Sequence, residues 1–356
     1  MVFFYPIRVD SKDRVLAALR GEPVDKIPFT IYDILMPKGE LWETLRKMGL
    51  TPITSISVFY EKLLNVKVKR VIEGDYVYTF YETPVGSVYA KHKINLKPGS
   101  GDSWIVEYPI KKPDDYKVVN YIFRNTNITP LREEDVLRQV ERFKDDRVFW
   151  TWVDRTPMQK ILIELAGYRR LAIDLHRNRE LLDELYDTLI GRTKVICEIA
   201  SESPIELIWC GDNVSGIVLG PRIFEKYHLP VYRYMSKLFE KNGKTLIVHM
   251  DGKLNCLKHL IPNSGIKVME AFTPPPMGDL PPGEARRLWG EGVKIWINFP
   301  ESILLNEESY IKQYTLNLLK EISFERGFLI GITEDIAPGY EGRLKIVAEI
   351  LNVERM

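Results

Sequence analysis

The segment His249-Met250-Asp251-Gly252 places an imidazole and a carboxylate two residues apart, with a glycine behind them. One imidazole and two carboxylates around an open position make a catalytic rather than a structural metal site, because the open position admits water or substrate. Glu334, in Thr333-Glu334-Asp335 near the end of the chain, supplies the second carboxylate. His249, Asp251 and Glu334 are therefore the expected metal ligands. Plainer readings of the same residues stand beside this one. An HxD segment also occurs as a hydrogen-bonded pair at a strand end, Glu334-Asp335 also suits a helix cap, and Asp212-Asn213 also reads as a turn.

Further chemistry-bearing residues sit where apolar segments end. Glu270 lies inside the apolar run Val268 to Phe272, where an unpaired carboxylate is costly, so it needs a metal, an arginine or a polar network as partner. Glu270 and Asp212 are the candidate catalytic residues. Tyr32, Asp154, Asn213 and Asn298 are the candidates for binding substrate. Tyr60, Trp152, Phe272 and Phe299 could stack on a ring, although core packing is the commoner role of such residues.

The elements that must position these groups form a repeating rhythm. Strands are expected at Ile27 to Tyr32, Ile53 to Phe59, Val148 to Val153, Ile205 to Gly211, Thr245 to His249, Val268 to Phe272, Val293 to Asn298 and Phe328 to Ile332. They are short, rich in Ile, Val and aromatics, and not alternating, as befits parallel strands buried on both faces. Helices are expected at 10–21, 39–48, 132–144, 157–168, 178–201, 221–242, 253–262, 281–289, 307–323 and 340–352. Eight βα units argue for an α/β fold of the closed (β/α)8 TIM-barrel type, with the active site at the C-terminal strand ends. An open doubly wound sheet would normally carry a glycine-rich phosphate loop, and neither GxGxxG nor GxxxxGK[ST] occurs. Residues 66–123 differ: alternating segments such as Tyr76 to Tyr81, separated by Glu73-Gly74-Asp75, Thr83-Pro84-Val85-Gly86 and Lys97-Pro98-Gly99, predict an antiparallel β-hairpin insertion in one barrel domain spanning 1–356.

Composition narrows the function. The 356 residues include 50 Lys and Arg against 49 Asp and Glu, for a net charge of +1, which argues against nucleic acid as a partner. The three cysteines form no CxxC pair, and free thiols suit a reducing cytoplasm. No long apolar run or signal segment is present, so a cytoplasmic protein without membrane association is expected. Barrels of this kind often pair, which makes a homodimer a candidate assembly.

The opening Asp13-Arg14-Val15-Leu16-Ala17-Ala18-Leu19-Arg20-Gly21-Glu22-Pro23-Val24-Asp25-Lys26-Ile27-Pro28 resembles the start of uroporphyrinogen decarboxylase-like proteins. So do Glu82-Thr83-Pro84-Val85-Gly86-Ser87, Cys210-Gly211-Asp212-Asn213 and His249-Met250-Asp251-Gly252, in the same order along nearly the whole chain. The superfamily holds two chemistries. Its metal-free decarboxylases carry an arginine segment after the first strand to hold substrate carboxylates. Here Thr30-Ile31-Tyr32-Asp33-Ile34-Leu35-Met36-Pro37 has no arginine, so a tetrapyrrole would lack its cationic partners. The other branch comprises zinc-dependent methyltransferases that work with a corrinoid protein. Its thiol-methylating members hold zinc with HxC and a later Cys, and in this chain Asp251 and Glu334 stand at those two positions.

Loss of both cysteines to oxygen ligands is coordinated, and oxygen donors make an ion a harder Lewis acid, less suited to a thiolate. The resemblance thus implies an O-demethylase-type enzyme: Zn2+ held by His249, Asp251 and Glu334, a methoxylated, aromatic small-molecule substrate, and a corrinoid (cobalamin) on a partner protein as methyl acceptor. Asp212 and Asn213 would position substrate or orient a ligand, and Glu270 would orient a ligand or give a proton to the leaving oxygen. The alternatives are the metal-free decarboxylase of tetrapyrrole biosynthesis, a glycosidase using Glu270 and Glu334 as facing carboxyls, and a binding barrel without turnover.

Overall fold

Asp10 starts the first helix, α1 (Ser11–Arg20), by accepting the N–H of Asp13 on Oδ1 at 2.7 Å. Gly21 ends it at φ 77, a left-handed cap that lets the next N–H groups reach back to Ala17 and Ala18. The buried stripe Val15, Ala18 and Leu19 packs with Val148, Leu207 and Val268, each the first residue of a barrel strand. The helix therefore closes the N-terminal end of the barrel, leaving the C-terminal end for a site. The computed structural model that shows this describes residues 10–96, 103–143, 147–322 and 326–352. The expected Lys97-Pro98-Gly99 turn lies outside those residues.

Eight parallel strands form a closed barrel: β1 (Phe29–Tyr32), β2 (Leu50–Ser55), β3 (Val148–Val153), β4 (Leu207–Cys210), β5 (Thr245–His249), β6 (Val268–Phe272), β7 (Lys294–Asn298) and β8 (Phe328–Ile332). Their order around the barrel is β1-β8-β7-β6-β5-β4-β3-β2. This is the (β/α)8 architecture expected. Inside, Trp150 stacks on Trp209 at 5.3 Å between centroids and meets Trp296 at 5.9 Å. Trp296 Nε1 donates to Thr30 Oγ1 at 2.9 Å, so the buried indole is satisfied. Gly331 makes this approach possible, since a Cβ there would sit 2.8 Å from both of those atoms.

The chain divides into two compact units. The first, Met1–Ser57, Arg132–Trp152 and Ser201–Met356, contains the barrel strands, save Val153 at the end of β3, and every residue of the site described below. The second is Val58–Leu131 with Val153–Ala200. It holds an antiparallel four-stranded sheet (Lys67–Glu73, Tyr76–Thr83, Gly86–Lys93, Trp104–Glu107), as the hairpin pattern predicts, and a two-stranded sheet pairing Phe59–Leu63 with Thr126–Pro130.

Several elements differ from expectation for identifiable reasons. β2 ends at Ser55 and not at Phe59. Ile56 and Val58 beyond it are 2% and 1% exposed, so the apolar run continues past the point where pairing stops. Phe59, Tyr60 and Glu61 thus belong to the second unit and do not mark a barrel strand end. Asp115–Arg124 is a helix inside the stretch read as hairpins. Its Tyr, Val and Ile content suits a strand, but burial of Tyr116, Val119 and Ile122 along one face overrides that propensity.

Residues 253–262 form short 3-10 turns, Asn255–Leu257 and Ile261–Ser264, in place of a helix. Asp279 Oδ1 accepts the N–H groups of Leu254 and Asn255 at 2.8 and 3.0 Å, a distant contact invisible to local pattern. The helices expected at 157–168 and 221–242 are interrupted by π turns at Ile161–Ala166 and Phe224–His228. No helix among the described residues is long and apolar enough to cross a membrane. Cys197 and Cys210 are buried, Cys256 is exposed, and none of the three is joined in a disulfide.

Candidate metal centre

His249 is the last residue of β5, so its imidazole stands at the C-terminal mouth of the barrel. Glu270, in the middle of β6, is directly beside it in the register. The pairing of β6 with β7 shifts between Met269 and Phe272, and Ala271 takes φ 56. Such an irregularity re-aims the neighbouring side chains, and a non-glycine residue in that conformation signals a site that over-determines its backbone.

Glu270 is fully buried yet saturated with donors. Its Oε1 accepts the Tyr32 hydroxyl at 2.6 Å, and its Oε2 accepts Trp209 Nε1 at 2.9 Å and lies 2.8 Å from His249 Nδ1. The polar network that a carboxylate in β6 requires is thus built from β1, β4 and β5. The Tyr32 hydroxyl also lies 3.2 Å from His249 Nδ1. With Nδ1 occupied, Nε2 points the other way. It is buried, has no hydrogen-bond partner, and lies 3.7 Å from Asp251 Oδ2 and 3.7 Å from Glu334 Oε1. Ligand atoms of all three residues fall within 4.8 Å of one another.

These residues fit a metal ion on geometry and on donor chemistry. An ion held about 2.0–2.2 Å from each ligand separates neighbouring ligand atoms by roughly 3–4 Å, close to the spacing found. The spacing is too long for hydrogen bonds from Nε2, and an orphaned buried nitrogen aimed at two carboxylates is otherwise unexplained. The carboxylate behind the imidazole matches the way metal-binding histidines are oriented by their other ring nitrogen.

Charge tells the same story. Burial opposes the imidazolium of His249, but Glu270 and Asp251 outweigh it and hold the group up to about 10. Burial, with Asp251, Glu301 and Glu270 nearby, pushes Glu334 up to about 7 against the pull of His249. Asp251 is lowered despite burial by His249 and by the Asn213 amide, which donates to its Oδ2 at 2.9 Å. Burial and the adjacent Glu270 raise the Tyr32 phenol well above its ordinary value. A carboxyl raised by neighbouring carboxylates, as Glu334 is, gains from a cation bound beside it.

Gly252 explains the last residue of the His249-Met250-Asp251-Gly252 segment. A Cβ there would lie 2.5 Å from both Val214 O and Ser215 Cβ, while its N–H donates to Val214 O at 3.2 Å. The glycine lets the loop after β5 lie against the loop after β4, which brings Asn213 to Asp251. Asn213 itself has φ 48, a conformation asparagine tolerates.

The structure gathers some expected residues and separates others. His249, Asp251, Glu334, Glu270, Tyr32 and Asn213 are brought together. Asn298 is fully buried at the end of β7, donating to Thr273 Oγ1 at 3.3 Å and accepting Thr333 N–H at 3.3 Å, so it braces the strand ends flanking Glu334. Asp212 is fully buried with its carboxylate accepting the Tyr232 hydroxyl from helix Leu229–Lys241. Asp154 is buried in an ion-pair network of the second unit, 2.9 Å from Lys160 Nζ and 2.9 Å from Arg192 Nε. Phe272 and Phe299 pack edge-on against Trp289 and Tyr314 in the core, and Tyr60 is half exposed in the second unit.

Two residues of the mouth escaped the sequence. Trp209 is one; its position just before the end of β4 is the only local hint. Glu301, the first residue of the turn Glu301–Leu305 after β7, is the other. Its proximity to Asn298 in sequence is a signal that could have found it.

No family model matches the chain, and no curated protein matches it. Among solved structures it is similar to a methyltransferase from Methanosarcina mazei, at 14% identity with a TM-score of 0.57, covering 97% of this chain and 99% of that one. An identity this low speaks for the shared fold alone. Likenesses to the pneumococcal exo-beta-D-N-acetylglucosaminidase StrH (10% identity, TM-score 0.37, 94% of this chain and 86% of that) and to a putative vitamin-B12 independent methionine synthase from Listeria monocytogenes (12%, 0.34, 60% and 65%) are too weak to carry an argument.

Proposed function

We propose that the chain is a zinc-dependent methyltransferase of the uroporphyrinogen decarboxylase-like superfamily, moving a methyl group from a methoxylated aromatic substrate to a corrinoid carried by a partner protein. The observation that carries this reading is the His249 imidazole, pinned at Nδ1 by Glu270 with an unpartnered Nε2 facing Asp251 and Glu334. His249, Asp251 and Glu334 would hold the ion. A bound zinc supplies Lewis acidity, stabilising the negative charge that develops on the leaving oxygen. The barrel shared with a Methanosarcina mazei methyltransferase is consistent with this chemistry.

The protein's own residues do the rest. Glu270 fixes the imidazole, and Tyr32 and Trp209 fix Glu270. Asn213 holds the Asp251 oxygen in place. The partly buried rings of Tyr32 and Trp209 offer an aromatic substrate apolar surface. Oxygen ligands favour an ether oxygen over a thiolate at the ion. A glycosidase reading loses its pair of carboxyls, because both Glu270 oxygens are already engaged and the side chain is fully buried.

The test is metal analysis combined with methyl transfer. Purified protein should carry one zinc, lost in His249→Ala, and should transfer methyl from methoxyphenols to free cob(I)alamin, followed by the change in corrinoid absorbance. Protein that takes up no metal at neutral pH would refute the reading.

A further inference from the structure

Glu301 enters the barrel mouth from the turn after β7 but is not a member of the three-residue ligand set. Its Oε1 is buried and has no hydrogen-bond partner. An ionised oxygen in that setting is costly, whereas a neutral acid is far less so. The Asn298 amide, itself braced by Thr273 and Thr333, favours the ionised form of Glu301. Asp335 and Asp251 disfavour its ionisation further, and Glu301 in turn disfavours that of Glu334. Burial first, then Asp335 and Asp251, push Glu301 up to about 7, against the Asn298 amide. Burial persists when an ion is bound nearby.

Ether cleavage makes two opposite demands on carboxyls: ligands must be deprotonated, and the leaving oxygen must receive a proton. We propose that Glu301 is the general acid of the methyl transfer, giving its proton to the ether oxygen as the methyl–oxygen bond breaks. The bonding pair of that bond stays on oxygen, and the Glu301 proton converts the departing phenoxide to a phenol. The methyl group is taken by the electron pair of Co(I) in the corrinoid acceptor, forming the carbon–cobalt bond. The Glu301 carboxylate regains its proton from water. This inference rests on the methyl-transfer reading above.

The experiment compares wild type with Glu301→Gln in zinc-loaded protein. Infrared difference spectra across neutral pH should show the carbonyl band of a protonated carboxyl in wild type, absent from the variant. Zinc content should be equal in the two. Transfer to cob(I)alamin should fall by about 100-fold or more for methyl ethers of weakly acidic phenols, the size expected of general acid catalysis, and change little for nitro-substituted ones, which leave without a proton. A carboxyl band that persists in Glu301→Gln, or a loss equal across the series, overturns the role of Glu301 while leaving the methyl-transfer reading standing. A wild type that demethylates no ether of the series overturns both.

Discussion

Glu270 stands behind His249, its Oε2 2.8 Å from Nδ1, and the opposite ring nitrogen faces Asp251 and Glu334. A buried carboxylate on one strand thereby decides what the imidazole on the next can bind. The hydroxyl of Tyr32 and the indole of Trp209 complete its hydrogen bonds, so the orientation does not depend on water.

Glu270→Gln keeps the size of the side chain but turns one acceptor oxygen into a donor. Zinc affinity should fall about 10- to 100-fold, as is typical for residues that orient a metal-binding histidine. Competition with a calibrated chelator measures it. An unchanged affinity would show that His249 is held by packing alone.

Zinc uptake should release protons. His249 is held up to about 10 and Glu334 up to about 7 in the metal-free protein, and both must be deprotonated to ligate. At pH 7 the His249 proton and part of the Glu334 proton are displaced, so apparent affinity should rise with pH towards 10. The metal-free fold binds more protons than the unfolded chain between the ordinary values of 4.5 and 6.5 and the raised ones. The His249 contribution is complete below 6.5 and lost as pH rises through about 10. Tm of chelator-treated protein should therefore decline over that window. Calorimetry in buffers of different ionisation enthalpy counts the protons released.

Gly252→Ala forces a Cβ to within 2.5 Å of Val214 O and Ser215 Cβ. The loops after β4 and β5 must part, at a cost of about 1–3 kcal/mol as in other overpacked sites. Separation of Asn213 from Asp251 should weaken zinc binding together with Tm. A drop in Tm with full zinc affinity would mean the loop relaxes without moving Asp251.

Asp154→Asn tests a residue that the sequence alone offered as a substrate ligand. Burial disfavours its charge, but Lys160 and Arg192 outweigh that and hold the carboxyl below its usual range. Its stabilisation is present above 3.8 and lost as pH falls through the lowered value. Neutralising one partner of a buried pair should cost about 3–5 kcal/mol in denaturant unfolding. Zinc content should be unchanged.

The barrel was legible because its strands are short, apolar on both faces and separated by helices, a pattern that belongs to local sequence. The same pattern placed His249 at a strand end and directed attention to Asp251 and Glu334, although 85 or so positions of chain lie between the outer two. Local sequence also carried the first helix, expected at 10–21 and found at Ser11–Arg20. It could not show where β2 stops, because Ile56 and Val58 are buried beyond the last pair, nor that Asp279 caps the segment after Gly252. Above all, it left Glu270 as a carboxylate in search of a partner. Its three donors come from three different strands, Tyr32, Trp209 and His249, and Asp212, a neighbour in sequence of Asn213, turns away to Tyr232. Residue type is written along the chain, but which buried polar group meets which is decided by strand register and barrel closure, and that meeting is what separates a metal ligand from a structural brace.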